Sequence, residues 1–244
     1  MKILDDLFRT RTALALLLPA LAGCAATSAD PELRSWGELR RVLRGGEVEG
    51  RVELEAECRP GDFGLGALEG LAGEVLVRDG EAWVSRSAAD GTLEPARRAQ
   101  PGERATLLVL AQVDEWTEVR LPELDGLAAL ETAVADEARR AGVDTDRPFV
   151  FLLDGTVVDL ELHVLNGACP FAQPPPPPEH MPHRARIQGR TLQLLGIYAQ
   201  GAEGVLTHHG RASHVHCLSE GATPVVGHVD ELHLAAGARL RLPR

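Results

Sequence analysis

Three imidazoles, His214, His216 and His228, stand near the end of this chain at a spacing that can seat one transition metal ion. Along an extended strand side chains alternate faces, so His214 and His216 point the same way with one residue between them. His228 falls where the next strand would bring it alongside. Neutral imidazole is a common metal ligand, and zinc in a catalytic site takes three protein ligands and leaves a position open for water or substrate. The same stretch also holds His208, His209 and His233, so some of its histidines are expected to be ordinary strand or loop residues.

The elements that must position these groups follow from periodicity and turn chemistry. Leu33, Trp36, Leu39 and Leu43 recur at helical spacing and stop at Gly45-Gly46, which predicts a helix over residues 31–44. Strands are predicted at 74–77 and 81–84 around Asp79-Gly80, a strong two-residue hairpin signal, with a further turn at Ala89-Asp90-Gly91 and strands at 106–113 and 116–121. A second long helix is predicted over 123–141, with Leu127, Leu130, Val134, Ala138 and Ala141 on one face and Gly142 after it. Residues 149–153 and 157–164 read as a strand pair turning at Asp154-Gly155. Beyond the proline run at 174–178, which must lie extended, come five short strand-like segments. The expected fold is α+β and mostly β: two mixed or antiparallel sheet subdomains, with two longer helices in the N-terminal part. The expected division is an N-terminal α+β subdomain over 24–170, a proline-rich linker over 171–183 and a C-terminal β subdomain over 184–244 that carries the histidines.

Residues 1–23 read as a signal peptide, with Arg9 and Arg11 before an apolar run too short to span a bilayer. Leu21-Ala22-Gly23-Cys24 resembles the lipobox of bacterial lipoproteins, which makes Cys24 a lipidation site and the membrane a partner through its lipid chains. Ala25 after it implies the outer membrane, at its periplasmic or surface face. With a net charge of −11 at pH 7 the chain is a poor partner for nucleic acid. Cys58, Cys169 and Cys217 remain, and spacing leaves their pairing open. Cys217 falls on the opposite strand face from His216, which argues against its sharing the ion.

Two distant segments join the histidines. Gly61-Asp62-Phe63-Gly64-Leu65-Gly66 precedes Leu71-Ala72-Gly73-Glu74, then Asp79-Gly80 and later Asp154-Gly155; the end reads Ser213-His214-Val215-His216-Cys217 and Val226-Gly227-His228. In order and spacing these resemble the α-acetolactate decarboxylases, over nearly the whole chain from Trp36 to Leu234. From the residues alone, Gly61, Gly64 and Gly66 mark places where a side chain would not fit. Glu74 shares a strand face with Leu76, so its carboxylate is directed where the next inward side chain is apolar. The resemblance implies zinc, or another divalent transition metal, on His214, His216 and His228. It also implies a 2-hydroxy-3-keto acid substrate, Glu74 as acid/base or metal-site carboxylate, and acetoin as product; homodimerisation stays open.

Two departures from that family stand out. Its substrate-engaging arginine falls at His163 here, an imidazole without the bidentate fork that grips a carboxylate. Its glutamate beyond the third histidine has no counterpart before Arg244. Two other readings therefore remain: a surface lipoprotein that binds zinc or a hydroxy acid without turnover, and a cupin-like metal protein in which Glu220 joins His214 and His216.

Overall fold

The computed structural model describes residues 33–244 apart from 89–91, 171, 173 and 220. Cys24, its lipobox, the turn at residues 89–91 and Glu220 therefore lie outside the described residues. The fold is mostly β, in two antiparallel seven-stranded sheets with few helices. The first contains β1 (Leu33–Trp36), β2 (Val52–Glu53), β3 (Asp62–Leu68), β4 (Glu74–Arg78), β5 (Glu81–Ser85), β6 (Arg97–Arg98) and β7 (Arg104–Gln112). The second contains β8 (Trp116–Arg120), β9 (Leu124–Asp125), β10 (Phe149–Val164), β11 (His183–Tyr198), β12 (Ser213–Ser219), β13 (Val225–Leu234) and β14 (Arg239–Pro243).

The sheets divide between β7 and β8, not at the prolines. The proline run lies in the connection between β10 and β11, which pair in register from Phe149↔Tyr198 to Val164↔His183. Along its other edge β10 takes β14 and then β13, while β12 bridges β11 and β13. Four strands of the second sheet thus close into a ring.

Leu65, Leu76 and Val109 of the first sheet pack against Val150, Leu195, Ile197 and Val226 of the second, forming a core between the sheets. The far face of the second sheet is covered by α3 (Leu127–Ala141), following the short helices α1 (Leu39–Leu43) and α2 (Leu54–Glu57). Helix α3 ends on Gly142 in the left-handed conformation, φ 82°, as predicted. It starts later than expected because Leu124–Asp125 pairs with β13 as β9, and Ala141 is exposed rather than on the core face.

Two predicted elements are corrected. The helix expected over 31–44 is strand β1, paired with β7, then α1. Gly37 separates them with φ 78°, and a Cβ there would lie 2.5 Å from Thr106 O, so the chain turns where a continuous helix could not run. The pair expected around Asp154-Gly155 is the single strand β10. Asp154 is held by Gln193 and Arg241, and Gly155 lets Ala238 approach where a Cβ would come within 2.6 Å. By contrast Asp79 and Gly80, at φ 51° and 76°, make the predicted tight hairpin between β4 and β5. Gly64 and Gly66 are sterically required, since a Cβ on them would meet Val109 O at 1.9 Å and Leu107 O at 2.0 Å. Gly61 has room for a side chain and is needed instead for its φ of 85°.

An ion cluster ties β6 and the end of β5 to the turn before β7. Arg97 grips Glu103 with two bonds, at 2.8 and 2.9 Å, and Arg86 adds a third at 3.0 Å. Chiefly through Arg97, the Glu103 carboxyl is pulled down to about 2. Glu103→Gln is expected to destabilise the fold by about 1–2 kcal/mol at pH 7, a figure discounted for partial solvent exposure. Because the folded pKa lies below the usual 4.5, this stability is complete above pH 4.5 and disappears as pH falls toward 2. Urea titrations of both chains should therefore differ at pH 7 and converge near pH 2.

Candidate metal centre

His214 and His216 lie on the inner face of β12, with Val215 and Cys217 turned to the α3 side. His228 on β13 is the register partner of His216, and His163 on β10 is the register partner of His228. The closed ring therefore sets three imidazoles side by side on adjacent strands. A fifth, His208, arrives from the loop between β11 and β12, and the ligand atoms of His208, His214 and His228 lie within 4.8 Å of one another. Of the predicted trio, His214 and His228 belong to that group and His216 does not, although its Nε2 lies 3.2 Å from His214 Nε2.

The outer nitrogens decide what that close approach means. His216 Nδ1–H donates to Val75 O at 2.9 Å, across the gap between the sheets, and His214 Nδ1–H donates to Leu206 O at 3.3 Å. Burial, reinforced by neighbouring imidazoles, holds His214 and His228 well below the usual histidine range and lowers His216 to about 3 and His208 to about 4. The rings are neutral at physiological pH, so with Nδ1 carrying the proton the two Nε2 lone pairs face each other. A cation between them would relieve that repulsion. A separation of 3.2 Å is close to the nitrogen spacing of about 3.3 Å that two imidazoles adopt around tetrahedral zinc. Hydrogen-bonding of the outer ring nitrogen to a carbonyl is also how ligating histidines are commonly oriented. The donor set fits a borderline-soft divalent ion.

Glu74, at the start of β4, enters the same cluster from the opposite sheet. It is 2 % exposed; its Oε1 accepts the Leu165 N–H at 3.2 Å and its Oε2 lies 3.6 Å from His216 Nε2. Burial pushes its carboxyl up to about 8, against the opposing Leu165 hydrogen bond. A divalent cation among the histidines would draw it back down.

His163 is buried against His228, ring centroids 4.8 Å apart, and its Nδ1 meets Asp230 at 2.8 Å. Asp230 also accepts from Arg184 at 2.9 Å. A chamber of about 30 Å³ is lined by Glu74, His163, His208, His214 and His228. His208 and His228 also line a wider cavity of about 410 Å³. They stand between the two spaces.

His208 and Asp230 were not singled out from sequence. Asp230 was findable, since it lies two residues from His228 on a strand and so shares its face. His208 sits on a loop, where alternation says nothing. Cys58, Cys169 and Cys217 form no disulfide; Cys217 packs toward α3, away from the histidines, and burial raises the Cys58 and Cys217 thiols to about 12.

Fold and site together define a two-sheet α+β protein with a histidine cluster suited to a metal ion at the seam of its sheets. The family model for α-acetolactate decarboxylase matches residues 39–242, and the chain belongs to that family. Among solved structures it is similar to α-acetolactate decarboxylase from Bacillus subtilis strain 168, with a TM-score of 0.68 and 18 % identity over 87 % of this chain and 85 % of that one. It is also similar to acetolactate decarboxylase from Bacillus subtilis subspecies spizizenii, at 0.64 and 17 % over 87 % and 86 %. A third, a Staphylococcus aureus protein of unknown function similar to α-acetolactate decarboxylase, gives 0.67 and 14 % over 87 % and 85 %. A comparison with curated protein sequences finds no match. Membership of this family displaces the cupin-like reading.

Proposed function

We propose that the protein is a zinc-dependent lyase that decarboxylates a 2-hydroxy-3-keto acid, converting 2-acetolactate to acetoin, from a membrane surface to which Cys24 tethers it. The observation that carries this reading is the pair of opposed Nε2 atoms, each with its Nδ1 engaged, beside a buried carboxyl. His214, His216 and His228 would hold the ion. Zinc, when bound, supplies a Lewis acid for the negative charge left on the substrate oxygens as carbon dioxide departs. When that carbon–carbon bond breaks, its electrons pass toward the neighbouring carbonyl, and the carbon that lost carbon dioxide must then gain a proton. Glu74 is the group placed to move it, because its Oε2 faces the histidines while Oε1 is fixed by Leu165. His163, its Nδ1 locked to Asp230, shapes the chamber wall and presents a single ring nitrogen rather than a fork.

The test is acetoin production from racemic acetolactate by the full-length, zinc-loaded chain against its metal-free form. Acetoin formed above the spontaneous background only with metal supports the lyase. Tight zinc without turnover moves the protein to the second reading, a hydroxy-acid- or zinc-binding surface lipoprotein. The observation favouring that reading is that β10 brings His163, and no arginine, to the chamber.

A further inference from the structure

The wider cavity beside His208 and His228 has a charge pattern unlike the chain as a whole, whose net charge is −11. Three arginines line it: Arg40 from the first turn of α1, Arg44 just after that helix, and Arg211 from the loop before β12. Arg40 is paired with Glu38. Arg44 and Arg211 have no ion-pair partner among the described residues. Asp230, the carboxylate among the described lining residues, is already shared between His163 and Arg184.

The backbone at Arg211 is held at a fixed place. Its N–H bonds to His208 O at 3.1 Å, and the next two residues donate their N–H groups to Glu131 of α3 at 3.2 and 3.1 Å. Glu131 also takes the Ser213 hydroxyl at 2.9 Å, so its capacity is spent on the backbone that carries Arg211 into β12. Thr207, on the same wall, is fully buried, and its hydroxyl oxygen has no hydrogen-bond partner among the described residues. A buried hydroxyl left unpaired is costly unless something bonds to it.

We infer that Arg211, assisted by Arg44 and the Thr207 hydroxyl, forms a carboxylate-binding subsite that takes a small 2-hydroxy acid from the cavity side of His208. A cavity of about 410 Å³ admits such a molecule with room for side groups larger than methyl. The guanidinium supplies the planar pair of donors that β10 does not bring to the chamber. The inference deepens the decarboxylase reading, on which it rests for the identity of the acid, but recognition of the charge does not depend on turnover.

The experiment is calorimetric titration of the zinc-loaded, full-length chain with 2-hydroxyisobutyrate and with its amide, which differ in charge but hardly in shape. The acid should bind at least about tenfold more tightly than the amide, and Arg211→Gln should weaken the acid by about 10- to 100-fold while sparing the amide and the zinc content. Arg211→Lys should recover part of the preference. Equal binding of acid and amide by the wild-type chain overturns the proposal. So does an acid preference that survives the Arg211→Gln, Arg44→Gln double variant, or loss of zinc in Arg211→Gln. If the preference depends on Arg211 but acetolactate is not turned over, the subsite stands and the lyase falls. If acetoin forms at wild-type efficiency in Arg211→Gln, the lyase stands and the subsite falls.

Discussion

The His214→Ala, His216→Ala double variant should lose its metal, falling from one zinc per chain to a trace, and acetoin formation should drop by at least about 10³-fold, the several kcal/mol that a Lewis acid supplies. The single variants separate ligation from architecture. His214→Ala removes a proposed ligand and frees Leu206 O. His216→Ala also strands Val75 O between the sheets, adding about 1–3 kcal/mol of instability even in metal-free protein. Metal analysis with thermal melts, with and without a chelator, reads both. Chelation should lower the wild-type melting temperature and leave the double variant unmoved. Acid provides a further check. His216 and His208 sit at about 3 and 4 when folded against a usual 6.5, so the unfolded chain binds more protons below that value. Metal-free protein must therefore lose stability as pH falls from 6.5 toward 4, and the double variant should lose less. Equal zinc content in the double variant and the wild type would remove the metal centre altogether.

Glu74→Gln is expected to separate activity from stability in opposite directions. A positioned proton carrier contributes about 10²- to 10⁴-fold, so turnover should fall by that much with zinc content unchanged. Metal-free Glu74→Gln should nevertheless be more stable than wild type at pH 7, by about 2–4 kcal/mol. The sign follows from the shift. With a folded value of about 8 against 4.5, the native carboxyl keeps its proton where the unfolded one has released it, so stability is full below pH 4.5 and declines as pH rises to 8. Glutamine never ionises and escapes the decline. Urea titrations at pH 4.5 and 8 should show the two proteins equal at the first and separated at the second. An exposed strand glutamate would show neither effect.

The sequence was most informative where local chemistry alone decides structure. Asp79-Gly80 could hardly be anything but a tight turn, and helix α3 carried both its apolar stripe and its glycine stop. Alternation was enough to place His214 with His216, and Glu74 with Leu76, on inward faces. Local signals failed where a distant partner decided. Leu33 and Trp36 satisfy a helical period, but pairing with β7 and the crowding at Gly37 make a strand. Asp154-Gly155 has the letters of a turn, yet Ala238, arriving from far along the chain, needs the missing side chain. His208 reaches the cluster through a loop whose course depends on α1 and β11, as the bonds from Leu39 and Arg40 to Val205 and Gly204 show. No period in the sequence encodes that.

The order of the two sheets along the chain bears on how the protein is made. Every strand of the first sheet is complete before β8 begins, so during synthesis its apolar face of Leu65, Leu76 and Val109 emerges without the surface that will cover it. The hydrogen bond between Val75 and His216 closes over 141 residues. Pairings so far apart in sequence form slowly, and half-built sheets with open faces are prone to aggregate. A nascent chain of this design therefore has to be kept from self-association until β12 and β13 are available, and the metal centre is among the last parts of the molecule that can take shape.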